Sequence, residues 1–245
     1  MVDIIKPDWP APSHIHAYST TRNGGYSEAP YDSLNFGEHV GDSLENVATN
    51  RGLLMESLSL PNEPLWLEQI HSNQVICADA PPEILQADAS FAKTANKVCV
   101  VTTADCLPLL LCNKAGTIVA AVHAGWRGLA TGIIEQTAKI LLRHDPELMA
   151  WMGPAIGPEH YEVGDEVRQA FISHDPQAEQ AFKSSPNNRW LADMYLLARQ
   201  RLNSLGIQDI YGGGFCTFSD SKRFFSYRRD GVTGRMATLI WIAPY

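Results

Sequence analysis

Three uninterrupted apolar runs lie close together in the middle of the chain, at residues 97–103 (KVCVVTT), 107–112 (LPLLLC) and 117–122 (TIVAAV). Each has the length and composition of a strand. None alternates apolar with polar, so each reads as a strand covered on both faces. Such strands need partners on two sides, and the flanking pattern supplies them. Helical spacing is expected over residues 42–57, 129–144, 162–174 and 191–205, with Asp42 or Asn46 near the first cap. Further strands are expected at 16–20, 150–153, 207–211, 224–227 and 237–242. The alternation predicts a mixed α/β (α+β) fold in which helices cover a central sheet system.

Charge and length narrow the function classes. The 245 residues carry 19 Lys+Arg and 27 Asp+Glu, a net charge of −8. That balance speaks against nucleic acid or an anionic membrane as partner, but leaves room for a local basic pocket that binds a small phosphate. The most apolar region, 98–112, is broken by Thr102, Thr103, Asp105 and Pro108. It falls short of the roughly 18–20 apolar residues of a membrane span. The N-terminal residues lack the basic start and apolar run of a signal peptide, so a cytoplasmic protein is expected. Five cysteines without a CxxC pair suggest reduced thiols, with Cys99 and Cys112 as small buried hydrophobes. No repeat, low-complexity linker or sustained heptad appears. A single domain over 1–245 and a monomer are expected, with the polar stretch 175–188 as an exposed loop.

Three segments place reactive side chains beside strands: Gln69-Ile70-His71-Ser72, Ala104-Asp105-Cys106-Leu107-Pro108 and His123-Ala124-Gly125-Trp126-Arg127-Gly128. Strand ends and adjoining loops are where α/β proteins place chemistry. Two imidazoles and a thiolate form a good donor set for Zn²⁺, and three protein ligands leave the fourth position of a catalytic site open. The spacings match no zinc finger. The same residues also allow a Cys–His dyad, with Asp105 or Asp88 orienting the imidazole. Composition does not choose between the two. Arg22, Arg127 and Arg228 are candidate anion contacts, and a helix starting after Gly128 is a candidate anion cradle. His160 is a reserve ligand or acid/base. Tyr26, Trp66, Trp126 and Phe215 are candidates for stacking on a planar ring. His14, His16, His39, His144 and His174 have no comparable context.

Together the segments resemble a known family, the YfiH-type laccase-domain proteins, also called multicopper polyphenol oxidases or peptidoglycan editing factors. The resemblance is carried in order by Thr21-Arg22-Asn23-Gly24-Gly25-Tyr26-Ser27, Ser33-Leu34-Asn35, His39-Val40-Gly41-Asp42, Gln69-Ile70-His71-Ser72, Ala87-Asp88-Ala89, Thr103-Ala104-Asp105-Cys106-Leu107-Pro108, His123-Ala124-Gly125-Trp126-Arg127-Gly128 and Gly153-Pro154-Ala155-Ile156-Gly157. It implies a sandwich of mixed sheets similar to the Cys–His deamidating-toxin fold. It also implies one catalytic zinc held by His71, Cys106 and His123, acting on purine nucleosides. The implied reactions are phosphorolysis of adenosine, inosine and S-methyl-5'-thioadenosine, and deamination of adenosine to inosine. Asp105, Asp88 or Glu68 would move protons, and Arg22, Arg127 or Arg228 would hold phosphate. Three other readings stand beside this one: a Cys–His hydrolase editing peptidoglycan precursors, a copper polyphenol oxidase, and a zinc-dependent binding module without catalysis. The copper reading needs several histidine-rich sites, and only three candidate ligands fall in these segments.

Overall fold

A computed structural model describes residues 2–244 of the chain. Strands β1 (Ile4–Ile5) and β2 (Ile15–Thr20) precede helix α1 (Leu44–Leu58). Five strands follow: β3 (Val75–Cys77), β4 (Ala89–Ala92), β5 (Cys99–Thr103), β6 (Leu107–Asn113) and β7 (Val119–Ala124). Helices α2 (Trp126–Ala130) and α3 (Ile133–Leu142) lead to β8 (Leu148–Met152), β9 (Glu162–Val163) and α4 (Asp165–Ile172). The last third holds β10 (Phe182–Ser185), β11 (Arg189–Ala192), α5 (Met194–Ser204), β12 (Asp209–Gly212), α6 (Tyr227–Asp230) and β13 (Met236–Ile242).

The strands form a four-stranded sheet (β1-β2-β13-β5), a six-stranded mixed sheet (β12-β8-β6-β7-β4-β3) and a small sheet (β10-β11-β9). The two large sheets face each other, which explains the uninterrupted apolar runs. In β6, Leu110 and Cys112 pack with Val101 and Ile240 of the opposite sheet. The alternate residues Leu109 and Leu111 pack against Ile133 and Leu141 of α3 and Leu197 and Leu202 of α5. In β13, Leu239 and Trp241 turn outward toward Leu54 of α1. Every residue of β6, β7 and β13 is buried. The mixed α/β architecture, with helices on the outer faces of a two-sheet sandwich, is the expected one.

The departures have local causes. The expected helix over 129–144 is two helices, because Gly132 adopts φ 92° between α2 and α3. Gly128 lies inside α2, so no helix begins there to cradle an anion, and a Cβ at Gly128 would sit 2.7 Å from the Ser72 carbonyl oxygen. The starts of the expected helices at 162 and 191 pair instead as β9 and β11. The stretch 175–188 is not a bare loop. It holds a short 3₁₀ turn (Pro176–Ala181) and the strand β10, which turns into β11 through Asn187 and Asn188 at positive φ. The expected strand over 224–227 does not form: Phe224 and Phe225 plug a small core, and Ser226 caps α6. Ser43, not Asp42 or Asn46, caps α1, while Asp42 accepts from Ser27 and Asn35.

Candidate metal centre

Strand pairing brings the three reactive segments together. The β6–β7 register sets Pro108 opposite His123 and Leu107 opposite Ala124, so Cys106, just before β6, lies beside the end of β7. The β4–β7 register pairs Ala89 with Val122, which places Asp88 next to His123. Parallel pairing of β3 with β4 carries the loop holding His71 over Asp88. Non-glycine residues adopt positive φ at two of these turns, His71 (60°) and Asp105 (99°). Such strain clusters where surrounding contacts hold a functional side chain in place.

The ligand atoms of His71, Cys106 and His123 all lie within 4.8 Å of one another, and this is the one such donor group among the described residues. Cys106 Sγ is 4.0 Å from His71 Nε2. Zinc–sulfur and zinc–nitrogen bonds of about 2.3 and 2.0–2.1 Å put tetrahedral donors roughly 3.3–3.6 Å apart, so a small contraction closes the set on an ion. The space between them is kept clear by Gly125. A Cβ there would lie 2.8 Å from His71 Cδ2, 3.2 Å from Cys106 Sγ and 3.5 Å from His123 Cε1. Donor chemistry and the clearance that Gly125 leaves beside the three donors both fit zinc.

Asp88 ties the histidines together. Its carboxylate is fully buried. Oδ1 accepts from His123 Nδ1 at 2.7 Å and from the His71 backbone N–H at 3.0 Å. Oδ2 accepts from the Ser72 N–H at 2.6 Å and its hydroxyl at 2.8 Å. Burying an unpaired carboxylate costs several kcal/mol. Four hydrogen bonds to the charged group, each about 1.5–3 kcal/mol, outweigh that. The Asp88 pKa accordingly stays low: burial pushes it up, but the bond from His123, its charge and the Ser72 donors win. With Nδ1–H given to Asp88, His123 presents Nε2 to the donor triangle.

In the metal-free protein the thiol and imidazole form an ion pair. Burial works against ionisation of Cys106, yet the His123 charge and hydrogen bonds from both histidines bring the thiol down to about 6. Burial likewise opposes the His123 charge, but Cys106 and Asp88 raise the imidazole to about 9. By contrast, burial pushes Cys99 and Cys112 up to about 12, which leaves them inert.

All three donors line a cavity of about 360 Å³, together with His39, Gln69, Thr102, Thr103, Ala104, Tyr227 and Arg235. Gln69 is a rigid wall: its amide oxygen accepts from Thr102 N–H at 2.7 Å and its amide nitrogen donates to Thr102 O at 2.8 Å. Burial, followed by the nearby Arg235, His123 and His71, pushes His39 below the usual histidine range.

Other candidate residues lie elsewhere. Both Asp105 carboxylate oxygens are engaged, by Thr217 Oγ1 at 2.7 Å and the Arg228 N–H at 2.6 Å. This anchors the turn before Cys106. Arg22 is spent on Asp32 and the Ser221 carbonyl, Arg228 donates to Glu162 O, and Arg127 stacks on Trp126. None of these three arginines lines the cavity. Glu68 accepts from Gln86. His160 stacks on Phe218 beside a different cavity. The candidate stacking residues Tyr26, Trp66, Trp126 and Phe215 also lie outside the cavity lining.

Sequence reasoning missed His39, Tyr227 and Arg235. His39 lies in a segment that carries the family resemblance but has no strand context, and Arg235 comes just before β13 in an ordinary polar stretch. Only the fold brings them to Cys106.

The fold and site together define an α/β protein in which two histidines and one cysteine that line a cavity could hold a metal ion. Residues 16–243 match the family model described as multi-copper polyphenol oxidoreductase laccase. The chain is 50% identical to a Shigella flexneri protein named purine nucleoside phosphorylase YfiH, over 99% of this chain and 100% of that one. It is 51% identical to a purine nucleoside phosphorylase of Pseudomonas aeruginosa, over 97% and 98% of the two chains. A crystal structure of a Neisseria meningitidis protein superposes with a TM-score of 0.94 at 46% identity, over 99% and 100% of the two chains. The chain belongs to the YfiH-type laccase-domain family. No helix among the described residues is long and apolar enough to cross a membrane.

Proposed function

We propose that the protein is a zinc-dependent purine nucleoside enzyme. It cleaves adenosine, inosine and S-methyl-5'-thioadenosine with phosphate and deaminates adenosine to inosine. One observation carries the reading: three soft-to-borderline donors surround a position kept open by Gly125 and line a cavity of about 360 Å³. Small-molecule sites are of this size. Relatives named as purine nucleoside phosphorylases support the substrate class.

Zinc held by His71, Cys106 and His123 would supply a Lewis acid within the cavity that these residues line. The protein's own groups do the rest. Asp88 fixes the His123 tautomer and both histidine-bearing segments. Gln69, locked to Thr102, gives the substrate a wall that does not move. Asp105 holds the Cys106 turn and, with both oxygens occupied, acts through position and not by carrying protons. The test is product identification with adenosine in the presence and absence of phosphate. Phosphate-dependent release of adenine supports phosphorolysis, and inosine supports deamination. Absence of both products from the metal-loaded protein overturns the proposal.

A second reading has its own observation. Cys106, His123 and Asp88 also form a linked thiolate–imidazolium–carboxylate series, as a cysteine hydrolase acting on peptidoglycan precursors would need. In that case activity survives a chelator and is lost on thiol alkylation. In the zinc enzyme the chelator abolishes it.

A further inference from the structure

We infer that Arg235, beside His39, forms an oxyanion subsite in the wall of the cavity that the donor triad lines, and there holds inorganic phosphate. The identity of the anion rests on the phosphorolysis proposed above; the existence of the subsite does not.

The cavity is the opposite of the surface in charge. The chain carries a net −8, yet no Asp or Glu lines the cavity, and Arg235 is its one Arg or Lys. A low-dielectric hollow lined this way concentrates anions. Most arginines of the fold are already paired, among them Arg22, Arg51, Arg168, Arg189, Arg201, Arg223 and Arg229. Arg235 has no carboxylate partner among the described residues. Its Nη1 donates to the carbonyls of Thr233 (2.8 Å) and Gly234 (3.0 Å). Nε and Nη2 have no protein acceptor among the described residues, which leaves three N–H donors on two nitrogens for a ligand. A guanidinium with donors to spare matches the geometry of a phosphate.

The guanidinium is held in place before any ligand arrives. The Arg235 N–H donates to Asn35 Oδ1 at 2.9 Å, and the Phe36 N–H donates to Arg235 O at 3.1 Å. Gly37 lets the side chain through: a Cβ there would lie 2.8 Å from Arg235 Cγ. The Arg235 guanidinium lies 5.9 Å from the centroid of the Tyr227 ring. Such preorganisation lowers the entropic cost of binding.

In phosphorolysis, a phosphate oxygen forms a bond to the ribose anomeric carbon and the bond from that carbon to purine N9 breaks. The electron pair leaves with the purine, which takes up the phosphate proton. Free base and ribose 1-phosphate result, and the equation balances without another reactant. An anion held by Arg235 beside the metal donors is placed for that attack.

The experiment titrates inorganic phosphate into zinc-loaded protein by calorimetry and measures KM for phosphate and for adenosine separately. The variants are Arg235→Gln, Arg235→Lys and Gly37→Ala, each checked by thermal melting. Arg235→Gln is expected to weaken phosphate binding and raise the phosphate KM by about tenfold to a hundredfold, with the adenosine KM moving by less than about threefold. Arg235→Lys should recover part of the loss. Gly37→Ala keeps every charged group but displaces the stem, so it should weaken phosphate binding too, and it decides the matter if Arg235→Gln does not fold. Unchanged phosphate affinity in folded Arg235→Gln, or in Gly37→Ala when that variant stands alone, overturns the subsite. If wild-type protein binds phosphate, the variant loses it and adenosine is not cleaved, the subsite stands and the phosphorolysis reading falls. Phosphate-dependent cleavage with an unaltered phosphate KM in the variants gives the reverse.

Discussion

His123 Nδ1 lies 2.7 Å from Asp88 Oδ1, and the same oxygen accepts the backbone N–H of His71 at 3.0 Å. A single buried carboxylate oxygen therefore aims one candidate ligand and holds the backbone of another. In Asp88→Asn the charge is lost and the amide NH₂ replaces an oxygen that accepts from N–H donors, so the orientation of both histidines loosens. Carboxylate partners of metal-bound histidines are worth about 10–100-fold in affinity. Zinc affinity, measured by competition with a chromogenic chelator, should fall by that amount while bound zinc is still detectable at saturation. An unchanged affinity would show that the carboxylate does not organise the site.

Gly125→Ala tests the space between the donors. Gly125 has φ −65° and ψ 158°, which alanine adopts without strain. The added methyl carbon meets His71 Cδ2 at 2.8 Å and Cys106 Sγ at 3.2 Å. The variant should melt near the wild-type temperature in the metal-free state yet bind zinc at least about tenfold more weakly, since it alters first-ligand geometry. Equal zinc affinity in the two proteins would mean that the donors do not converge above this residue.

The ion pair gives a pH signature in the metal-free protein. A Cys106 thiol held at about 6 is mostly protonated at pH 5 and mostly thiolate at pH 7. Only the thiolate reacts with iodoacetamide. The rate of Cys106 alkylation, followed by peptide mass spectrometry, should rise as pH increases through about 6 and then level off. Cys99 and Cys112, raised to about 12, should stay unmodified in the folded protein across this range. A Cys106 profile that rises only above pH 8 would contradict the pairing with His123. Added zinc should suppress the reaction at every pH where it binds.

The core strands were legible because their signal is local. Continuous runs such as 107–112 are written for burial on both faces, and the two facing sheets bury them that way. Elements shorter than the pattern were not. Two-residue β9 and the hairpin of β10 and β11 carry no periodicity, and the break at Gly132 depends on one positive φ that a helical count does not see. The metal donors showed a similar division. His71, Cys106 and His123 stood out because each ends or precedes a strand. Their convergence was not readable from spacing, because it depends on the registers of β6 with β7 and β4 with β7. The three arginines expected to hold phosphate, Arg22 in a turn, Arg127 beside an expected helix start and Arg228 near the C-terminus, are engaged elsewhere in the fold. The one that lines the cavity, Arg235, is brought there by β13 pairing with β5, where Met236 lies opposite Thr103.

The most direct measurement of the central claim is the metal content of the purified protein set beside that of Cys106→Ala, with adenosine turnover assayed on the same samples. The account predicts about one zinc per wild-type chain. It predicts almost none in the variant, with turnover lost in the same step and not restored by added zinc at concentrations that saturate the wild type. A Cys106→Ala protein that keeps its zinc, or that turns over adenosine without it, would contradict the account.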